Sequence, residues 1–163
     1  MSMTSQAAIA PAVVRGVFAD LAGTAVMTAF QKFVEMPLTG RGESYAPANF
    51  AQKILPIKPN SRQQRRRVND FASHFGLGAG WGAAYGVAAH NGLRGQRAVA
   101  AVFATVYSGD VLLNTLLGLY KPRQWSAQDT IVDVIDKLVQ AEGTALFYDT
   151  AFGRPNGATG QRR

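Results

Sequence analysis

At 163 residues the chain is long enough for one domain, and it contains no cysteine, which excludes disulfides, thiolate metal sites and cysteine nucleophiles. Charged residues make up 17% of the sequence and hydrophobic residues 47%, a composition low in charge for a soluble domain but far from that of a protein buried wholly in lipid. The net charge of +7 permits nucleic acid or an anionic membrane surface as a partner.

Residues 1–10 are expected to be disordered, and a first helix is expected to begin near Pro11, because proline suits the first turn of a helix. This helix should end at about Met36. Its polar residues recur at spacings of three and four, so they share one face, which should meet other helices rather than lipid. These residues are Asp20, Thr24, Thr28, Gln31 and Glu35.

The segment from residue 37 to residue 60 contains four of the seven prolines and is predicted to be a connection. Within it, residues 47–55 predict a short amphipathic helix that lies at a membrane surface. A cluster of arginines follows, and Asn60 or Ser61 can cap the helix that carries it. The cluster consists of Arg62, Arg65, Arg66 and Arg67.

This arginine cluster has two interpretations. An arginine run in a basic protein is a common phosphate-binding feature of nucleic-acid-binding proteins. Here neither interleaved aromatic residues nor a recognisable nucleic-acid motif accompanies it, and it directly precedes a long apolar run. A basic collar before an apolar run is what the positive-inside rule describes, so a membrane-surface role is favoured over nucleic acid.

The apolar run, residues 71–93, contains twenty-three residues without a fixed charge and is predicted to be a membrane-spanning helix. Its five glycines have overlapping Gly-x-x-x-Gly spacings, which on a helix give a groove that a second helix can approach closely. A soluble core helix or a glycine-rich loop is the alternative, but five glycines would weaken a helix in water. The glycines are Gly76, Gly78, Gly80, Gly82 and Gly86.

A third helix is predicted over about 96–120, with a single charge, Asp110, in its apolar core. Tyr107, Asp110 and Asn114 share one face. An acidic residue is costly at the middle of a bilayer, so Asp20 and Asp110 require a structural or functional reason. Each is either buried and hydrogen-bonded, with Thr24, Asn114 or Tyr107 as candidate partners, or lines a wet path for a proton, a cation or a polar ligand.

The pattern Ser126-x-x-Asp129 predicts a capping box at the start of a fourth helix, over about 127–150. The first half of this helix is strongly amphipathic, and Glu142 falls on its apolar stripe as a further intramembrane polar candidate. The opposite, polar stripe consists of Asp129, Asp133, Asp136, Lys137 and Gln140. Whether the helix spans a membrane or lies on its surface is left open. Residues 153–163 are polar and glycine-rich and are expected to be disordered.

These elements predict an all-α fold, a small membrane bundle of three to four long helices with a short amphipathic connecting helix, in one domain over 11–152. Basic residues divide fourteen to three if the fourth helix lies on the surface, and about ten to six if it spans. Both divisions place residues 62–67 on the cytoplasmic side. The expected partners are the lipid bilayer and a second copy or another membrane protein.

Several residues carry a resemblance to a known family: Gly23-x-x-x-Met27-Thr28, Glu35 with Thr39-Gly40-Arg41, Tyr45-Ala-Pro47, and His74-Phe-Gly76 followed by Gly80 and Tyr85. This pattern, over most of residues 12–90, resembles the YagU-like domain-of-unknown-function group of small bacterial membrane proteins. The resemblance implies a bacterial inner-membrane protein of three or four helices. It implies no particular activity.

Two function classes follow. The first is a non-enzymatic membrane component: a helix-packing subunit, a small transporter or an assembly partner. The second is a cofactor carrier, in which His74 or His90 ligates a haem or a metal. Sixteen residues separate these histidines, about 24 Å along a helix, so they cannot ligate one metal together. No catalytic residue and no metal site is predicted, and the cofactor is left unknown.

Overall fold

A computed structural model describes residues 3–42 and 44–153, with all of their side chains except those of 3–8 and 73–75. This described part is helical and contains no strand, which confirms the predicted all-α class. Four long helices and one short helix make up the described residues, and a 3-10 turn, Pro122–Gln124, precedes the last of them. The helices are α1 (3–39), α2 (Ala46–Ile54), α3 (62–90), α4 (Gly95–Leu116) and α5 (Ala127–Phe152).

Three of the long helices contain a π-helical turn, in which one extra residue locally widens the helix. The turns are Gln31–Glu35 in α1, Ala72–Leu77 in α3 and Phe103–Tyr107 in α4. Such turns are frequent at functional sites because they redirect the side chains that follow. In this chain the turn in α1 holds two of the polar residues of the predicted stripe, Gln31 and Glu35.

Helix α1 begins at Met3 rather than near Pro11, so residues 3–10, which were expected to be disordered, are helical. The reason is local, because this segment contains alanine, glutamine and methionine, which all favour helix, and no glycine. Pro11 lies inside the helix. The predicted disordered tail, residues 153–163, falls outside the described residues except for Gly153.

Helix ends follow the sequence at most positions. The Ser61 side chain caps α3 by accepting from the Gln64 amide, and Ser126 and Asp129 form the predicted capping box of α5. Helix α4 ends at Leu116 instead of Tyr120, because Gly118 adopts a φ of 72°, which favours glycine. The Gly118 amide then bonds to the Thr115 carbonyl, which closes the helix end.

The four long helices are antiparallel to their neighbours along the chain. Gly16 of α1 meets Gly82 of α3, whereas Ala12 meets Gly86, so the two helices run in opposite directions. The C-terminal ends of α1 and α4 therefore lie beside the N-terminal ends of α3 and α5, together with α2. We call this the basic end, because it carries most of the basic residues. They are Lys32, Arg41, Lys53, Lys58, Arg62, Arg65, Arg66, Arg67, Lys121 and Arg123.

Helix α3 packs mainly against α1. Trp81, Tyr85 and Ala89 are buried in an apolar core shared with α1, α4 and α5. Among the described residues, two helices are long and apolar enough to cross a membrane by length and composition, Ile9–Thr39 and Gly95–Leu116, and the 71–93 stretch predicted to span is not one of them. Glycines and two histidines lower the apolar content of that stretch, and one face of it, from Gly78 to Ala89, is buried in the bundle.

Candidate functional site

Asp20 lies at the centre of a hydrogen-bonded cluster between α1 and α5. Its carboxylate accepts from Thr24 Oγ1 at 3.0 Å, from Thr144 Oγ1 at 2.9 Å and from Gln140 Nε2 at 3.2 Å. Asp20 and Thr24 have no exposed surface, and Thr144 and Gln140 are 1% and 4% exposed. Three neutral donors therefore replace water around this carboxylate, as buried polar groups require.

The cluster is one end of a longer row of polar contacts between the two helices. Toward the basic end, Gln31 Nε2 of α1 donates to Asp136 Oδ2 of α5 at 2.7 Å, and between these contacts the Thr28 hydroxyl donates to the Thr24 carbonyl within α1 at 2.8 Å. We call this row the polar seam. Its members are Asp20, Thr24, Thr28 and Gln31 on α1, and Asp136, Gln140 and Thr144 on α5.

The α1 side of the polar seam was predicted from the sequence, but its partner residues on α5 were not. Gln140 was assigned only to the polar stripe of the last helix, and Thr144 was missed. The signal was present, because Asp136, Gln140 and Thr144 follow one another at spacings of four and so share a face of α5. Identifying them required knowing that α5 packs antiparallel to α1, which the sequence does not state.

Asp110 belongs to a second cluster, between α4 and α5. Asn114 Nδ2 donates to Asp110 Oδ1 at 2.9 Å, and Lys137 Nζ lies 3.7 Å from Asp110 Oδ2. Tyr107, which shares a face with Asp110, donates instead to Asp133 Oδ2 at 2.9 Å. Unlike Asp20, Asp110 therefore has a basic partner, and the two carboxylates occupy separate sites.

Glu142 lies on α5 away from both clusters. Its Oε2 accepts from Gln96 Nε2 at 3.0 Å, a contact between the start of α4 and the second half of α5. The side chain is neither fully buried nor fully exposed. It therefore sits near the end of the bundle opposite the basic end.

The five glycines of α3 divide into two groups. A Cβ at Gly82 would overlap with the Gly16 carbonyl, and a Cβ at Gly86 would overlap with the Ala12 carbonyl, so both glycines permit close contact with α1. Gly78 is also buried. Gly76 and Gly80, by contrast, have nothing within 4 Å of an added Cβ. The groove at Gly82 and Gly86 is filled within the chain.

The two histidines are not brought together with metal-ligating residues. His90 is exposed at the C-terminal end of α3, and the side chain of His74 lies outside the described residues. Within the part of the chain that is described, there is no group of three or more His, Asp, Glu or Cys that could hold a metal ion.

The four arginines at the start of α3 are all exposed. Arg65 is held by two contacts: its Nη2 donates to Asn49 Oδ1 at 2.6 Å, and its guanidinium lies 5.0 Å from the centre of the Tyr45 ring. Since Asn49 belongs to α2, these contacts fix the short helix against the first turn of α3. Arg62 and Arg67 extend the same basic surface.

The polar residues thus form a buried seam that leads from the basic end toward the middle of the bundle, and a separate ion pair beside it. Carboxylates, hydroxyls and amides in this arrangement can bind a proton, a cation or a small polar molecule. No family model, curated protein or solved structure matches this chain.

Proposed function

We propose that this chain is an integral membrane protein in which α1 and α4 cross the bilayer and α3 and α5 pack along them. The observation that carries the proposal is the distribution of polarity. Asp20 and Thr144 are buried at the centre, whereas large apolar side chains on the outside are exposed, such as Phe18 on α1 and Leu116 on α4 (59% and 75% exposed). A lipid solvent accounts for both, because it favours apolar exteriors and polar contacts between helices.

The exposed apolar side chains on the outside of the bundle are harder to explain if the protein is soluble in water. Apolar residues follow one another along the outer face of α1 at helical spacing, beginning with Val14, Phe18 and Leu21. In water a contiguous apolar surface of this kind promotes association, and monomeric soluble proteins rarely expose one larger than a few hundred Å². Lipid makes the same surface favourable.

The basic end supplies an orientation. Ten of the seventeen Lys and Arg residues belong to it, including the arginine cluster of α3. Positive residues accumulate on the cytoplasmic side of membrane helices, so we propose that residues 62–67 are cytoplasmic. The resemblance to the YagU-like group supports a bacterial inner membrane as the location, and it remains a proposal.

Among the roles open to such a protein, we favour a small transporter or solute-binding component over an assembly partner. The groove at Gly82 and Gly86, which would otherwise receive a helix of another protein, is occupied by α1. The polar seam gives the bundle a buried polar interior that simple packing does not require. A haem or metal role has less support, because His90 is exposed and away from other ligands.

Membrane extraction tests the proposal. We expect the chain to stay with the membrane pellet after an alkaline carbonate wash and to become monodisperse only in non-ionic detergent. Recovery of monodisperse protein from aqueous buffer without detergent would overturn the membrane proposal. In that case the arginine cluster would be tested next for RNA or DNA binding, with salt dependence as the readout.

A further inference from the structure

A cavity of about 180 Å³ lies at the basic end, between the polar seam and α2. Its apolar lining residues include Met27, Phe50 and Leu77. Its polar lining residues include Gln31 and Glu35, both from the π-helical turn of α1. An engineered cavity of about 150 Å³ binds benzene, so this one has room for a small organic molecule.

Asp136 is the buried carboxylate among the residues that line this cavity. The residue is only 8% exposed. Its Oδ2 accepts from Gln31 Nε2 at 2.7 Å, but its Oδ1 is buried and has no hydrogen-bond partner among the described residues. A buried carboxylate oxygen without a donor is unfavourable, because it loses its hydration without compensation. A donor supplied by a ligand in the cavity would remove that cost.

The charges around the cavity define the kind of donor. Two of its basic side chains already lie within ion-pair distance of carboxylates: Lys137 Nζ is 3.7 Å from Asp110 Oδ2, and Arg41 Nη1 is 3.3 Å from Asp129 Oδ1, although Arg41 Nη1 makes no hydrogen bond among the described residues. The third, Lys32, is exposed. The acidic residues of the wall outnumber this remaining lysine, so the cavity favours a cation. They are Glu35, Asp70, Asp133 and Asp136.

We propose that this cavity binds a small primary ammonium compound, with the ammonium at Asp136 Oδ1 and a short alkyl chain against Met27, Phe50 and Leu77. A primary ammonium supplies both the N–H donor and the positive charge, and such charge-assisted hydrogen bonds are stronger than neutral ones. The apolar wall favours a ligand with an apolar body over a bare cation. Binding here does not depend on whether the helices cross a bilayer.

The test uses calorimetric titration of the purified full chain with three probes of similar size: n-butylammonium, neutral n-butanol, and tetramethylammonium, which has charge but no N–H. We expect saturable binding of n-butylammonium and binding of the other two that is weaker by roughly tenfold or more. This comparison needs no variant. Equal binding of butanol, or no binding of n-butylammonium at millimolar concentration, would overturn the proposal.

Variants locate the site. Asp136→Asn keeps an acceptor for Gln31 but removes the charge, and we expect it to weaken n-butylammonium binding by roughly tenfold or more. Glu142→Gln is the matched control, because it removes one carboxylate from the same helix outside the cavity. A thermal melt of each variant confirms folding. Wild-type affinity in folded Asp136→Asn, or an equal loss in Glu142→Gln, would contradict the assignment.

Discussion

Two buried aspartates of the polar seam differ in how completely they are satisfied. Asp20 accepts hydrogen bonds from three side chains, on both of its oxygens. Asp136 accepts from one side chain, and its second oxygen lacks a partner within the described residues. A fully satisfied buried carboxylate orients the helices around it, whereas a partly satisfied one is suited to a ligand. We therefore assign packing to Asp20 and binding to Asp136.

The packing role of Asp20 predicts the effect of Thr144→Val. Valine keeps the shape of threonine but removes the hydroxyl that donates to Asp20 Oδ1 at 2.9 Å. We expect the free energy of unfolding to fall by about 1–3 kcal/mol, because a buried acceptor loses a donor. Thermal unfolding in detergent measures the change. Thr150→Val is the control, since the Thr150 side chain is exposed, and a similar loss there would contradict the role of Asp20.

The capping box predicts a pH dependence. Hydrogen bonds from the hydroxyl and the amide of Ser126 lower the pKa of Asp129 below its ordinary value of 3.8. Because the folded-state pKa is depressed, this stabilisation is present above pH 3.8 and is lost as the pH falls through the lower folded-state pKa. We expect the melting temperature of Asp129→Asn to be lower than that of the wild type at pH 7. In strong acid we expect the two melting temperatures to be equal.

Unfolding temperatures measured across this pH range check the prediction. Ser126→Ala removes the hydroxyl and keeps the amide, so it should show a smaller pH dependence than the wild type. A melting difference between wild type and Asp129→Asn that is the same at pH 7 and in strong acid would contradict the assignment.

At the scale of helices, most boundaries were predictable and most pairings were not. Ser61 and Ser126 act through hydrogen bonds to nearby residues, so their effect is local in the sequence. The end of α4 was the exception, because Gly118 stops the helix before the predicted Tyr120. The partner of the α3 glycines is not local. A signal was present in α1, where small residues recur at spacings of four, three and four, but nothing in the sequence pairs them with α3. These residues are Ala12, Gly16, Ala19 and Gly23.

The close contact of α1 and α3 predicts opposite results for two glycines on one helix. A Cβ at Gly82 would overlap with the Gly16 backbone, so Gly82→Ala must push the helices apart, and we expect a loss of about 1–3 kcal/mol. Gly80 has nothing within 4 Å of an added Cβ, so Gly80→Ala should be neutral or stabilising, because alanine favours helix. Equal melting of the two variants would show that the contact is absent.

The exposed apolar face of α1 predicts that an acidic substitution in the middle of this helix and one at its end will affect membrane insertion differently. Phe18 is 59% exposed, and it lies on the opposite side of the helix from Asp20. In a bilayer, Phe18→Asp should lower membrane insertion, because an acidic residue there costs up to about 2.5–3.5 kcal/mol. In a soluble protein the same change would raise solubility. The membrane-inserted fraction measures it, and Leu38→Asp at the basic end is the control expected to insert normally.

At the scale of the whole molecule, the composition of the chain predicted its class, a small helical bundle. The positions of the Lys and Arg residues along the chain predicted that positive charge collects at one end of that bundle. Neither predicted the cavity. Glu35, Asp70 and Asp136 come from three helices and line one wall only because α1, α3 and α5 meet at the basic end. Asp136 was assigned to the polar stripe of a helix, which is the usual position for a charged residue. Its hydrogen-bond donor, Gln31, lies more than a hundred residues away in the sequence.

The antiparallel arrangement predicts which residues face each side of a membrane. The chain contains no cysteine, so single-cysteine variants can be labelled without background. Arg66 and Lys121 belong to the basic end, and Arg97 lies at the start of α4, at the opposite end. All three are exposed, so their replacement should leave the core intact.

We expect a membrane-impermeant maleimide to label Arg66→Cys and Lys121→Cys from the cytoplasmic side and Arg97→Cys from the other side, in vesicles of known orientation. The reason is that α4 runs the full length of the bundle between Arg97 and Lys121, and a 22-residue helix is about 33 Å long, enough to cross the hydrocarbon core. Labelling of Arg97→Cys and Lys121→Cys from the same side would mean that α4 lies on the surface, which would overturn the proposed topology while leaving the bundle intact.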